Sequence, residues 1–362
     1  MKILHVINSC SIANGAAKLL LDVIAQQKTS GHLVDVISLV ETTPSYTSDF
    51  IRAGVNHFIS ILPVGGSMKN PLLIIKLRNL IRKYDIVHTH LFPTFYWVAL
   101  TKIIFNINGI RLVCTEHTSE NNRRKCWMRP IEQYIYKQYN HIIAISDAVK
   151  SNLIKHLKFT PNITTINNGI NVNIYNNATP SSRKDLNIPD DVILLTQVAA
   201  FRPEKDQLTV LKTLALLPHN YHVLFIGGGV LLTKHLKIAQ QLDVSDRVHF
   251  VGVRKDVPSL LKMSDIIIMS SHFEGFGLAA VEGMASHKPV IASNVAGLSD
   301  VVKDAGLLFP PYDIEHLKKH IEELSMNLSY YTQTADKCYE RALQYDISKT
   351  VQQYEMVYKT IL

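Results

Sequence analysis

Residues 270–302 read SSHFEGFGLAAVEGMASHKPVIASNVAGLSDVV. The run DIIIM at 265–269 just before them has the uninterrupted apolar character of a buried strand. The chain then turns through Glu274-Gly275-Phe276-Gly277 and enters a helix near Leu278. Lys288-Pro289 closes that helix, because proline cannot continue it and pushes the preceding residue toward extended angles. Residues 290–292 read as the next strand. Strand, glycine-bearing turn, helix, strand is the repeating unit of a parallel sheet.

Such a turn is also an anion site. The first helical N–H groups lack intrahelical partners, and the helix dipole favours negative charge beside them. Here the donors are the backbone N–H groups of Phe276, Gly277 and Leu278, and the two glycines allow a close approach. Two carboxylates bracket the turn, Glu274 before the helix and Glu282 one turn inside it. A carboxylate beside a phosphate would repel it, so both are better suited to accept hydrogen bonds from sugar hydroxyls. Backbone donors for phosphate and carboxylates for hydroxyls together fit a nucleotide-sugar. The alternative is a βα turn with two solvated glutamates.

Glu274, seven intervening residues and Glu282, set in EGFGLAAVEGMASHKPVIAS, resemble the signature of the family 4 retaining glycosyltransferases of GT-B fold. Further matches lie in order along nearly the whole chain. The resemblance implies an α/β architecture of two doubly wound Rossmann-like domains facing a cleft, with the sugar donor on the second. It implies that Glu282 holds the ribose hydroxyls and Glu274 the hexose hydroxyls.

The same half of the chain supplies cations. An apolar strand over 192–199 leads into Phe201-Arg202-Pro203-Glu204-Lys205-Asp206 and a helix over 207–217. Arg202 and Lys205 can meet a diphosphate there, arginine through its planar fork and lysine as a point charge. The family's usual arginine position is Ala200, so Lys205 carries over directly and Arg202 is a displaced substitute. A strand over 221–226 ends in Gly227-Gly228-Gly229, which is expected to let the backbone come close to the nucleotide. By the resemblance, the backbone at Val253-Arg254 reads a base edge, with uridine favoured. Residues 295–302, VAGLSDVV, resemble the family's next turn, with Ser299-Asp300 where a glutamate is common.

The first half alternates strand patterns at 3–7, 34–39, 56–59, 86–88, 111–115, 141–145 and 164–166 with helices that include 16–27, 72–83 and 95–105. That alternation makes an open parallel sheet, in which ligands bind beyond the carboxyl ends of strands. At the first such end stands Gly15, expected to lay its backbone against a phosphate or the transferred sugar. Ala16 replaces the family's second glycine. His88 and His90 point the same way along a strand, so a metal pair is conceivable, but no third or fourth ligand has suitable spacing and no metal site is assigned. Thr115-Glu116-His117-Thr118 resembles the family position whose histidine lies near the donor sugar, which makes His117 a candidate catalytic residue beside Glu274, Lys205 and Arg202, with Glu116 a lesser candidate. Next, Asn121-Asn122-Arg123-Arg124-Lys125-Cys126-Trp127 sets three cations beside an aromatic at a helix start. Arg123, Arg124, Lys125 and Trp127 are expected on the acceptor or membrane side.

Asn167-Asn168-Gly169-Ile170 resembles the turn that ends the family's first domain, with Asn171 in place of its aspartate. The expected division is residues 1–172, a linker over 173–190 rich in Asn, Pro and Ser, and a second domain over 191–345. A last helix, about 346–362, returns to the first domain, with Tyr354, Val357 and Tyr358 on its docking face.

Composition sets the context. The 362 residues are 47% hydrophobic, enough for two cores. Cys10, Cys114, Cys126 and Cys338 show no disulfide or metal spacing, which points to a reducing cytoplasm. No run reaches the roughly 18–20 apolar residues of a membrane span. Residues 1–176 hold 19 Lys and Arg against 9 Asp and Glu, whereas 177–362 hold 19 against 21. A basic half without nucleic-acid motifs points to an anionic membrane leaflet as partner and not to nucleic acid. The reading is thus a retaining, metal-independent hexosyltransferase at the inner face of the cell membrane. It would move a hexose or N-acetylhexosamine from a nucleoside diphosphate sugar to a lipid-linked saccharide in surface polysaccharide assembly (O-antigen or capsule), with no cofactor. The alternatives are a GT-B-like sugar-nucleotide epimerase and a non-catalytic sugar-nucleotide binding protein.

Overall fold

A computed structural model of the chain describes residues 1–118 and 124–362; Arg123 lies outside them. The chain forms two compact units, residues 1–169 with 347–362, and residues 170–346.

In the first unit, strands β1 (Lys2–Ser9), β2 (Leu33–Val40), β3 (Phe58–Leu62), β4 (Ile86–His90), β5 (Arg111–Glu116), β6 (His141–Ala144) and β7 (Ile163–Thr165) form one sheet in the order β3-β2-β1-β4-β5-β6-β7. Every pairing is parallel. The crossovers carry α1 (Gly15–Thr29), α2 (Thr47–Arg52), α3 (Leu73–Ile81), α4 (Thr94–Ile104), α5 (Arg129–Tyr136) and α6 (Asp147–Leu157). The chain winds outward from β1 to β3 and then returns to β4 and on to β7. Right-handed crossovers therefore place α1 and α2 on one face and α3 to α6 on the other. Strand alternation serves both faces. Leu4 and Val6 of β1 join the core under α3–α6, and Ile7 joins the core under α1 and α2. The C-terminal helix, Ile347–Ile361, belongs to this unit and packs on α1, with Tyr354 and Tyr358 fully buried.

The second unit begins with α7 (Val172–Asn176) and holds strands β8 (Ile193–Val198), β9 (Tyr221–Ile226), β10 (Val248–Phe250), β11 (Ile266–Met269), β12 (Val290–Ser293) and β13 (Leu307–Phe309). Their order is β10-β9-β8-β11-β12-β13, again all parallel. The helices are α8 (Gln207–Leu216), α9 (Leu232–Gln241), α10 (Val257–Met263), α11 (Leu278–Ala285), α12 (Leu298–Val302), α13 (Ile314–Met326) and α14 (Leu328–Gln344); α15 is the returning helix, Ile347–Ile361.

The segment expected as the interdomain linker, 173–190, falls within the second unit. Asn171 caps α7, Val172 and Tyr175 are buried, and α7 packs on α10 and α11. Arg183 then bonds the carbonyls of Val192 and Met263 and the Asp265 carboxylate. Polar composition misled here, because Arg183 satisfies by hydrogen bonding what an apolar period would otherwise have to supply by burial.

Candidate active site

In the second sheet β8 and β11 are neighbours, and the winding reverses between them. Ligands of open α/β sheets bind beyond the strand ends at that reversal. The β8 end carries Lys205 and the β11 end carries Glu274, and the two side chains form an ion pair with about a fifth of each exposed. Their loops are stitched by short contacts. Gln197 Nε2 donates to the Lys205 carbonyl (3.0 Å), Ser270 Oγ to the Asp206 carbonyl (2.8 Å), and the His272 N–H to the Glu204 carbonyl (2.8 Å). His272 Nε2 also meets Asp206 Oδ2 at 2.7 Å, while Asp206 accepts from the Thr209 N–H and so caps α8. The carboxylate can only accept, so Nε2 carries the proton. In the neutral ring Nδ1 then accepts from Tyr312 Oη, 3.0 Å away. Gln197, Asp206, Ser270, His272 and Tyr312 were not singled out as site residues from the sequence. His272 lies inside the opening motif, and its position two residues before Glu274 was the available signal.

The turn before α11 is equally constrained. Phe276 is buried edge-on against Tyr345, and Gly277 is the N-cap in a left-handed conformation (φ 95°) with no side-chain cap. At Gly297 (φ 82°) a Cβ would lie 2.5 Å from the Glu274 carbonyl oxygen, so only glycine lets the β12–α12 turn close on the Glu274 loop. Glu282 is buried on α11.

The glycine run has a role within the fold itself. A Cβ at Gly227 would stand 2.1 Å from the Ala199 carbonyl, and one at Gly229 2.6 Å from the Phe201 carbonyl. Close backbone approach is therefore needed by the protein itself, where the β9 loop meets the β8 loop. Val253 packs beside Gly228 and is 39% exposed. The Arg254 side chain is held in a fork by Asp256 (2.8 and 2.6 Å). Arg202 stretches into solvent, with Glu204 4.0 Å away.

In the first unit, Asn14 caps α1 by accepting from the Ala16 N–H (3.1 Å), and a Cβ at Gly15 would meet nothing within 4 Å. His117 follows β5. Burial pushes its pKa down to about 4, so the ring is neutral at ordinary pH. Its Nε2 is buried without a hydrogen-bond partner among the described residues. Glu116 is buried and accepts from the Tyr136 hydroxyl. Arg124, expected on the acceptor or membrane side, instead turns its charge inward. Its guanidinium lies 3.5 Å from Glu116 and 3.7 Å from Glu132, both buried carboxylates. Lys125 and Trp127 are exposed.

A third imidazole, which sequence spacing does not reveal, joins His88 and His90. His5, 83 residues before His88, brings its ligand atoms within 4.8 Å of those of His88 and His90, because β1 and β4 pair with His5 opposite His88. His5 bonds His90 (3.0 Å) and Gln27 (2.9 Å), and His88 bonds Tyr358 (2.7 Å) and Thr115 (2.7 Å). Both nitrogens of His5 and of His88, and Nε2 of His90, are thus engaged by the protein.

Two doubly wound parallel domains, the second with an ammonium–carboxylate pair and a helix N-terminus at its reversal point, form the architecture of the GT-B glycosyltransferases. Comparison with known proteins agrees along the chain. The family described as Glycosyltransferase Family 4 matches residues 13–174, and that described as Glycosyl transferases group 1 matches residues 178–344. The chain belongs to these glycosyltransferases. It is 29% identical over 316 residues to the UDP-Gal:alpha-D-GlcNAc-diphosphoundecaprenol alpha-1,3-galactosyltransferase of Escherichia coli, covering 80% of this chain and 76% of that one. It is 28% identical to the N-acetyl-alpha-D-glucosaminyl L-malate synthase of Bacillus anthracis, over 62% of this chain and 61% of that protein's length. Among solved structures, Anabaena Alr3699/HepE in complex with UDP and glucose superposes with a TM-score of 0.83 at 21% identity, over 98% of each chain.

Proposed function

We propose that the chain transfers a hexose or N-acetylhexosamine from a nucleoside diphosphate sugar to a hydroxyl of a lipid-linked saccharide, with retained anomeric configuration and without a metal ion. The observation that carries this is the Lys205–Glu274 pair at the β8/β11 reversal, beside the N-terminus of α11. A diphosphate outcompetes one carboxylate for the ammonium, which leaves Glu274 to accept hydrogen bonds from the sugar. Lys205 and the N–H groups of Phe276, Gly277 and Leu278 then face the phosphate oxygen on which negative charge grows as the glycosidic bond breaks. Fixed donors aimed at developing charge are the largest usual contribution to such catalysis. Glu282 holds the ribose, and Arg202 reaches the diphosphate from its exposed position. The departing phosphate takes the acceptor's proton on the face it leaves, which accounts for retention without a separate protein base. In the first unit, the neutral His117 and the open backbone at Gly15 serve hydroxyl and phosphate groups of the substrates. A uridine donor is favoured by the names of the Escherichia coli and Anabaena relatives, and the E. coli relative's diphosphoundecaprenol acceptor favours a lipid-linked one.

The test is a thermal-shift panel of sugar nucleotides followed by donor turnover with and without acceptor. UDP-sugars are expected to raise Tm. Glu274→Ala is expected to cut turnover about 10²–10³-fold, and EDTA to leave it intact. Conversion of the donor without acceptor would favour an epimerase, and affinity without turnover a binding protein. Loss of activity in EDTA, restored by a divalent ion, would overturn the metal-free chemistry.

A further inference from the structure

The chain's positive charge is concentrated in one segment. Residues 63–140 hold 12 Lys and Arg against 4 Asp and Glu, a net +8 that equals the net charge of the whole chain. The other 284 residues balance at 26 of each sign. This segment supplies α3, α4 and α5, adjacent helices in one layer on one face of the first sheet. Its acids are absent from the outer helical surface among the described residues. Asp85 sits at the start of β4 and accepts from the Lys2 N–H, while Glu116 and Glu132 are buried.

That outer surface also carries apolar side chains that the core does not use. On α3, Leu73, Leu77 and Ile81 are buried at helical spacing, while Leu72 and Ile75 face outward, Ile75 with 60% of its surface exposed. Exposed Lys76, Arg78, Arg82 and Lys83 surround them. On α5, Glu132, Ile135 and Tyr136 face in. Ile131 and Tyr134 face out, as does Trp127 (69% exposed) in the turn just before α5, between exposed Lys125 and Lys137. Ile104, at the end of the intervening α4, is exposed too.

We propose that the outer surface of α3–α5 docks on an anionic phospholipid leaflet, with Leu72, Ile75, Trp127, Ile131 and Tyr134 entering the headgroup region and the surrounding cations meeting lipid phosphates. This deepens the lipid-linked acceptor reading and rests on it. Apolar side chains with an indole among cations match the interface, where one end of a side chain is buried in acyl chains and the other stays wet. A nucleic acid would satisfy the cations and leave those apolar groups in water. The inward turn of Arg124 fits as well, because the surface does not need it.

The experiment is cosedimentation of the full chain with vesicles of equimolar phosphatidylglycerol and phosphatidylcholine, against pure phosphatidylcholine. Binding is expected only to the anionic vesicles and is expected to weaken in 0.5 M salt, with the fluorescence of Trp127 shifting to the blue; a Trp127→Phe variant should lose that shift. Replacing Lys76, Arg82 and Lys83 together by Gln should weaken binding about a hundredfold, at roughly fivefold per charge. The same change at the second unit's Lys212, Lys234 and Lys237 should leave it unaltered. Ile75→Ser should weaken it with little change in Tm. Equal loss in the two triple variants would overturn the proposal, as would a duplex oligonucleotide binding as tightly as the vesicles and indifferent to Ile75→Ser. The UDP-sugar thermal shift, measured on the same variants, separates this outcome from failure of the donor reading.

Discussion

Lys205 and Glu274 are each too exposed for their pairing to contribute much to stability, since partly solvated pairs are commonly worth no more than about 1 kcal/mol. Lys205→Ala is therefore expected to leave Tm within a few degrees of wild type while lowering turnover about 10²-fold; a large Tm loss with near-normal turnover would make the pair structural. The buried imidazoles act in the opposite sense. Burial lowers the pKa of His5 to about 4 and that of His88 and His90 well below 6.5. The unfolded chain then binds protons that the folded chain refuses, so stability is complete above about pH 6.5 and falls as the pH drops toward 4. Scanning calorimetry across that window should show Tm falling with acid. His5→Gln should be less stable at pH 7.5 but fall less steeply.

Among the elements, the turns around α11 carry the most constraint. Gly297 shows it best, because its positive φ and its 2.5 Å approach to the Glu274 carbonyl both require the missing side chain. Gly297→Ala is expected to cost about 1–3 kcal/mol in stability and to lower donor turnover more than tenfold, since the loop that must shift carries Glu274. Donor titration calorimetry with steady-state kinetics checks this; unchanged turnover would show that the Glu274 loop tolerates displacement. The second glycine run has a structural reason of its own. At Gly227 and Gly229 the space that a side chain would need is taken by the backbone of residues 199–201, a reason for glycine that no local sequence pattern shows.

At the scale of the molecule, the chain leaves its first unit at residue 169 and returns to it at 347. The returning helix buries Tyr354 and Tyr358 and supplies the Tyr358 hydroxyl to His88, so the first unit's core is completed by residues 347–362, far along the chain from the rest of it. Ending the chain after Asp346 would expose that face of α1, remove the Tyr358 partner of His88 and lose the burial of Tyr354 and Tyr358, each large side chain worth about 1.5–3 kcal/mol. The truncated chain is expected to lose its thermal transition for the first unit or to be recovered only as aggregate. A normal two-transition melt would refute the structural role given to α15.

Much of this was legible in the residue order. The strand-turn-helix of 265–285, the alternation that makes two parallel sheets, the return of the last helix and the glutamate spacing are all local or periodic, and chain sterics with 3.6- and 2-residue periods express them directly. Other features depend on residues far apart in the chain. Parallel pairing of β1 with β4 brought His5 to His88 and His90; the pairing of β8 with β11 set His272 against Asp206 and Lys205 against Glu274; and the buried Glu116 and Glu132 drew Arg124 inward from a basic run. Register and burial are properties of the folded whole, so no inspection of neighbours along the chain could supply them.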